Sequence, residues 1–437
     1  MESVLVDRGE MIRSFGRALD ETERFSRDRL HRYQLSLLSN LLSHARDACG
    51  FYRDRLDFDT AAPAQIEAAW SSIPILKRVE AAALGDQLFS ETVPPNAGRT
   101  LASSTSGSTA TPMHYRRSEI AVLAAQAMVE RMMRWWRVDP SKPCARIAYE
   151  ELSRPPEGSS HSGWHSADSQ SVQHRLSSEA DIDVQMAWLT ARKPAYLITY
   201  SHVLKELASI SMREGVPTKF ELLFTLGTVV DPEVRASCAS VFGVPIADSY
   251  GAGEIGQLAA ECPDCGEYHV SAEAVHLEIV RDDGALARPG EIGRVVVTGL
   301  YNFAMPLIRY EIGDLAEAGS ERPACGRTLP SIRRILGRYR NAFRFRGGRI
   351  MFPHTQDLQL WKFLAYRSAQ MVQLDFDRVE IRWVGDQDPD TVNLPAVTAR
   401  VRSVLREPVE VIMTKVDAIP RSRSGKFEDF VSLVLPT

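Results

Sequence analysis

Between Ala195 and Asp248 the chain alternates short apolar runs with amphipathic ones. Ala195–Thr199, Glu221–Thr225 and Pro245–Asp248 read as strands, and Val203–Glu214 and Pro232–Phe242 as helices. Strands separated by a helix-length crossover cannot close as hairpins, so this rhythm dictates a parallel sheet with helices on its faces. At 437 residues, 44% of them hydrophobic and 25% charged, the chain has room for a large body and a second, smaller unit. The pattern then changes. Val270–Val280 and Gly293–Thr298 alternate like antiparallel strands, joined through the turn Asp282-Asp283-Gly284. After Gly337 a third style begins: strands over Met371–Phe376 and Val379–Val384, a helix over Leu394–Leu405 and a strand over Val409–Thr414. The expected class is α/β. A large N-terminal body with parallel and antiparallel sheets and flanking helices spans residues 1–336. A small α+β C-terminal domain spans 337–437, the boundary falling near Leu336–Arg338.

Upstream, residues 10–56 read as helical, with Leu35, Leu38, Leu41, Leu42 and Ala45 on one apolar face. Short helices with a break at Pro74 are expected over 61–87. A strong helix runs over Ser118–Arg134 with Ser118 as its N-cap. Residues 153–179, rich in Ser, His and Pro, read as a loop or mobile insertion. The formal charge is −4 and no long basic run is present, so a nucleic-acid partner is not expected. The charged N-terminus lacks a signal-peptide core, and no window approaches the ~20 apolar residues of a membrane span. A cytoplasmic location is therefore expected, with no membrane partner.

Four motifs carry chemistry. Ser104-Thr105-Ser106-Gly107-Ser108-Thr109 opens a tract whose backbone N–H groups and hydroxyls can wrap a phosphate; alone it is equally a Ser/Thr-rich surface loop. Tyr250-Gly251-Ala252-Gly253-Glu254 offers a stacking face and a carboxylate suited to Mg²⁺, or a strand ending in a glycine turn. Asp314, after Gly313, can accept two hydrogen bonds from a ribose diol, or be an ordinary turn aspartate. Lys426, in the loop 420–426, can deliver charge to a reacting carboxylate and phosphate, or be a basic exposed residue.

Six cysteines are present. Cys262 and Cys265, followed by His269, have knuckle-like spacing, and Cys325 would complete a closed tetrahedral Cys₃His set for structural Zn²⁺. Two unrelated thiols and a surface histidine are the plainer alternative. Cys49, Cys144 and Cys238 sit in apolar or helical settings and read as core.

In order and spacing the motifs resemble the adenylate-forming superfamily of acyl-CoA synthetases, peptide-synthetase adenylation domains and luciferases, and within it the phenylacetate-CoA ligase branch. The resemblance covers 41–56, 104–112, 248–254, 304–315, 347–353 and 420–426. It implies a large adenylating domain with a mobile C-terminal lid. Residues 104–112 would cradle the β,γ-phosphates of ATP, Tyr250 would lie against adenine with Gly251 beside it, and Glu254 would bind Mg²⁺. Asp314 would hold the ribose, Arg338 would sit near ribose or phosphate, and Lys426 would support attack on the α-phosphate, with Thr105 and Glu254 as its catalytic companions. Tyr200, Ser201, His202, Gly227, Thr228 and Gly251 would line the acyl pocket, with Trp135 and Trp136 approaching from a helix end or belonging to the core. His161 and His165 read as exposed.

Two departures from that pattern stand out. Ala110 replaces a glycine of the phosphate loop, and the hinge reads Gly337-Arg338-Tyr339-Arg340-Asn341, with Arg340 in place of an acid. The arginines 333, 334, 338, 340, 344, 346 and 349 could meet the phosphates of CoA or an acidic carrier protein, or form a solvated face. The implied reaction activates a small, aromatic carboxylic acid as its acyl-adenylate and passes it to CoA. An amine acceptor (amide ligase), another oxyanion such as nitrite, and a regulatory nucleotide-binding protein without turnover are the alternatives. A homodimer is a possible arrangement for such a chain.

Overall fold

The computed structural model describes residues 8–105, 113–149, 157–215, 219–353, 355–419 and 428–434. Three layers of order emerge, each traceable to a sequence pattern.

The βαβα segment forms the expected parallel sheet. Its strands run in the order Ser159–Ser162, Val172–Ser177, Cys144–Ala148, Tyr196–Thr199, Leu222–Thr225, Ile246–Ala247. All pairs are parallel except the outermost, Ser159–Ser162 against Val172–Ser177. The crossover helices Ser201–Glu214 and Pro232–Phe242 each end on a left-handed glycine, Gly215 and Gly243, the usual way to release the last carbonyls without a Cβ clash. Leu204, Leu207, Val234 and Cys238 pack onto Leu197, Leu223 and Ile246 in one core.

This sheet corrects the loop expected over 153–179. Ser159–Ser162 and Val172–Ser177 are strands; residues 150–156 lie outside the described set. An edge strand needs few apolar residues, and this pair buries only Gln173 and Leu176 of its inner strand, so no hydrophobic alternation announced it.

The second sheet runs Ser249–Ala252, Gly256–Glu261, Tyr268–Val270, Ser331–Arg338, Tyr310–Ala318, Ile292–Gly299, Val275–Val280. It is antiparallel throughout, apart from a two-residue strand, Leu76–Lys77, laid parallel to Tyr310–Ala318. The single strand expected over Val270–Val280 is two. Tyr268–Val270 pairs inside the sheet, and Val275–Val280 pairs at its far edge with Ile292–Gly299. A turn in which the Ala274 and Val275 N–H groups both bond the Ser271 carbonyl separates them. The turn through Gly284 is as expected, with φ +83°.

Helices Arg8–Thr22 and Arg27–Ala48 fill the N-terminal region. Leu35, Leu38, Leu41, Leu42 and Ala45 share a core with Tyr52, Ile66, Leu300 and Ile308. The helix Glu119–Trp135 does start after Ser118, but the Ser118 hydroxyl donates to the Tyr301 carbonyl at 2.6 Å instead of capping the helix.

The C-terminal part has its own sheet, Glu410–Lys415, Arg378–Val384, Ser368–Gln373, Phe430–Ser432. Helix Leu394–Leu405 packs on it, and Phe343, Met371, Val379, Ile381, Val397, Val401 and Leu405 form a separate core. The strand Ser331–Arg338 belongs to the body sheet and runs two residues past Leu336; a single 3₁₀ turn, Tyr339–Asn341, then leads into the small domain. Among the described residues no helix is long and apolar enough to cross a membrane.

Candidate active site

A crevice of 2510 Å³ lies where the body meets the C-terminal domain, and Ser104, Thr105, Tyr250, Glu254, Asp314 and Arg338 all line it. Three motifs separated by some 200 residues of sequence are thus brought to one cavity by the fold.

The Ser/Thr tract begins where the strand Thr100–Ser104, paired antiparallel with His114–Ser118, ends. Thr105 closes the pair: its N–H donates to the Met113 carbonyl at 2.9 Å, and its Oγ1 accepts from the Met113 N–H at 3.0 Å. Ser106, Gly107, Ser108 and Thr109, with Ala110, lie outside the described residues.

The second motif shows why glycine is required twice. The register of Ser249–Ala252 against Gly256–Glu261 shifts between Tyr250 and Gly251. A Cβ on Gly251 would stand 2.8 Å from the Gly256 carbonyl oxygen, and one on Gly253 would stand 3.0 Å from the Tyr115 hydroxyl. The backbone can run this close only without side chains. Behind it, buried Asp248 accepts from Thr225 Oγ1 at 2.5 Å, Tyr268 Oη at 2.7 Å and the Ser249 N–H at 2.9 Å. Burial pushes its pKa up against these bonds.

Tyr250 and Asp314 are joined directly: Tyr250 Oη donates to Asp314 Oδ2 at 2.9 Å. Burial, then the facing Asp314, holds the phenol well above its usual range, so it stays a neutral donor. Asp314 sits opposite Arg338 in the strand register. Arg338 Nε lies 3.1 Å from Asp314 Oδ1 and its Nη1 donates to the Ile312 carbonyl at 2.9 Å. The carboxylate is therefore fixed in orientation from two sides.

Glu254 is 3% exposed and is bonded by Tyr310 Oη at 2.9 Å and Arg78 Nη1 at 2.5 Å. Arg78, which the sequence did not single out, also reaches Tyr310 Oη at 3.0 Å. The short strand Leu76–Lys77, aligned Leu76 to Tyr310, is what puts it there.

On the proposed acyl side, Ser201, His202, Gly227, Thr228 and Gly251 line the crevice. Thr228 Oγ1 accepts from the Ser201 N–H at 3.2 Å. Tyr200 does not line it. Its ring stacks behind His202 (centroids 5.5 Å, 8° apart), and its hydroxyl accepts from the Tyr149 N–H at 3.2 Å. Tyr200 stands at the junction of the strand Tyr196–Thr199 and the helix Ser201–Glu214 and packs into the core of the parallel sheet. Trp135 and Trp136 also lie elsewhere: Trp136 Nε1 donates to the Glu261 carbonyl, and Trp135 packs edge-on against His269 at 5.7 Å. His161 is exposed as expected, whereas His165 is buried, 3.9 Å from Glu130. Lys426 lies outside the described residues.

The arginine cluster is largely engaged within the chain. Arg333 and Arg334 pair with Glu317, Arg346 with Asp377 and Arg349 with Glu407. Arg344 is buried on the carbonyls of Ala342 and Tyr339. The side chain of Arg340 is not among those described.

Around the strand Tyr268–Val270 of the second sheet, Cys262, Cys265, His269 and Cys325 converge, with their ligand atoms all within 4.8 Å of one another. His269 Nε2 lies 3.1 Å from Cys325 Sγ and 3.8 Å from Cys265 Sγ. Burial, reinforced by Arg327, pulls His269 down to about 4, which leaves a neutral imidazole. Arg327 Nη1 reaches Cys262 Sγ at 3.2 Å and Asp264 Oδ2 at 2.8 Å, and its guanidinium stacks on Trp135. Cys49, Cys144 and Cys238 are buried core thiols, as expected.

The fold, a large body and a smaller C-terminal domain meeting at a crevice, is shared with solved acyl-CoA ligases. 2-Hydroxyisobutyryl-CoA ligase with 2-HIB-AMP in the postadenylation state aligns over 93% of this chain and 90% of its own, at 18% identity and a TM-score of 0.75. The same ligase with 2-HIB-AMP and CoA in the thioesterification state scores 0.62 over 92% of this chain and 90% of its own, at 18% identity. The anthranilate CoA ligase AuaEII in complex with anthranoyl-AMP aligns over 74% of this chain and 64% of its own, at 13% identity and a TM-score of 0.55. Among curated proteins, Protein CapK of Staphylococcus aureus is 24% identical over 207 residues, 46% of this chain and 44% of that protein, so the match spans less than half of its length. No family model matches the chain.

Proposed function

We propose that the protein activates a small aromatic carboxylic acid with ATP, forming an acyl-adenylate and pyrophosphate, and then transfers the acyl group to the thiol of CoA. The observation that carries this reading is the meeting of Thr105, Tyr250, Glu254 and Asp314 around one crevice under the lid. The acid's carboxylate oxygen attacks the α-phosphorus and the bond to the β-phosphate bridging oxygen breaks. In the second half-reaction the CoA sulfur attacks the acyl carbon and AMP leaves. Such chemistry mainly needs positioning and neutralisation of charge.

Asp314, held by Tyr250 and Arg338, suits the ribose diol, and the ring of Tyr250 suits the adenine edge. The tract beyond Thr105 suits the β,γ-phosphates. A Mg²⁺ ion bound with the nucleotide would neutralise phosphate charge, with Glu254 the buried oxygen donor for it. Lys426 is assigned to the reacting oxygens, and His202 with Gly227 and Thr228 to the acid. Domains meet this scheme as an adenylating body, 1–336, and a lid, 337–437.

The Cys₃His cluster fits structural Zn²⁺. A tetrahedral ion needs about 2.3 Å to each sulfur and about 2.0 Å to nitrogen, and the four donors, gathered within 4.8 Å of one another, could draw in to that arrangement on binding. Three thiolates favour a reducing, cytoplasmic setting.

A pyrophosphate-release screen over aromatic acids, with and without CoA, tests the reading. Release with at least one acid, and a thioester in the product when CoA is present, is the expected result. A product formed only with an amine would move the protein to the amide ligases. No release with any acid would favour a nucleotide-binding regulator.

A further inference from the structure

Arg78 is bound where a cation is wanted. Its Nη1 and Tyr310 Oη both fall on Glu254 Oε1, at 2.5 Å and 2.9 Å. Glu254 is 3% exposed, whereas the Arg78 side chain is 28% exposed and lines the crevice. Arg78 stands at the first position of the helix Arg78–Leu84. Pairing of Leu76–Lys77 with Tyr310–Glu311 anchors its backbone, so the side chain alone is free to change partner. An arginine fork has five N–H donors, and only Nη1 is used on Glu254 and Tyr310.

We propose that Arg78 is an exchanging phosphate ligand. In the nucleotide-free protein it neutralises Glu254 and blocks the carboxylate from a divalent cation. When the metal–nucleotide complex enters, the cation takes Glu254, and the guanidinium turns onto the phosphate oxygens that arrive with it. Planar bidentate recognition of phosphate is what arginine does better than lysine. The exchange keeps local charge balanced: the nucleotide's negative charges bring their own cation, and Arg78 trades one anion for another. No bond is made or broken, so Arg78 acts by binding and position. This inference rests on the nucleotide reading above.

The test uses the full chain and Mn²⁺ as a paramagnetic probe, titrated alone and with ATP. Wild type is expected to bind Mn²⁺ alone weakly and Mn²⁺·ATP well. Arg78→Gln, which frees Glu254, is expected to bind Mn²⁺ alone more tightly by about tenfold. It should bind Mn²⁺·ATP more weakly by about tenfold to a hundredfold, the scale of a lost charge-assisted hydrogen bond. Opposite shifts cannot come from simple loss of structure. Arg78→Lys, which keeps the charge on a point donor, is expected to lie between the two. Glu254→Gln should remove the gain in Mn²⁺ binding when combined with Arg78→Gln. Arg78 variants that weaken both titrations together, or move neither, overturn the exchange while leaving the nucleotide reading intact. Failure of wild type to bind Mn²⁺·ATP overturns that reading itself.

Discussion

The two walls of the crevice are built differently. On the body side, Tyr250, Glu254 and Asp314 are nearly buried, and each is bonded to a neighbour from another part of the sheet. On the lid side the lining includes Phe352, Trp361 and Tyr366, and Trp361 is 42% exposed. The body wall is a preorganised set of donors and acceptors, the kind that stabilises charge without reorganising. The C-terminal wall mixes these aromatic rings with Arg367, Asp417 and Asp429 and rests on its own core. On the proposed reading, recognition of the nucleotide falls to the body wall.

The largest expected effect concerns Lys426, assigned above to the reacting oxygens. Lys426→Ala should slow adenylation by roughly 10²–10³ if it acts on the reacting oxygens, while ATP binding by calorimetry stays close to wild type. An equal loss in both would move Lys426 to the binding wall. Asp314→Ala attacks the body wall and should show the reverse: ATP affinity falls by about tenfold to a hundredfold, the scale of hydrogen bonds to a charged group. The acid's own KM should change little, measured by pyrophosphate release.

His202→Ala should raise KM for the acid by about tenfold, as loss of one pocket contact does, with ATP affinity unchanged. That outcome would separate the acyl end from the nucleotide end of the same wall.

The smallest effect concerns how the walls meet. Asp429 of the lid is pushed up to about 7, first by burial and then by Asp231, with Glu233 also raising it and Lys205 opposing. Tyr366 sits in the same acidic field. A carboxyl whose pKa is raised in the closed arrangement favours that arrangement fully at pH below its ordinary value near 4. The benefit is lost as pH rises through about 7. Small-angle scattering should show slight opening between pH 5 and pH 8, roughly the window of that titration, and Asp429→Asn should remove the change.

Much of this was legible in the sequence, and the failures are physically consistent. The parallel sheet was readable because strands covered on both faces are continuous apolar runs. Ser159–Ser162 and Val172–Ser177 were not, because an edge strand can be polar. The Cys-x₂-Cys-x₃-His spacing named its own partners, and Cys325 joined them in space. Arg78 had no motif: its role depends on a two-residue parallel pairing with a strand more than 230 residues later. The Tyr250–Asp314 bond joins two motifs that the sequence presented separately. Tyr200 and His202, adjacent but for one residue, were assigned to one pocket, yet Tyr200 joins the core where strand passes into helix and only His202 lines the crevice.

The most direct measurement is a crystal structure of the protein grown with ATP, Mg²⁺ and an acid that elicits pyrophosphate release. The account predicts an acyl-adenylate in the crevice, its ribose hydroxyls on Asp314, its adenine beside Tyr250 and its acyl group toward His202. A nucleotide bound elsewhere, or one in the crevice with its ribose away from Asp314, would contradict it.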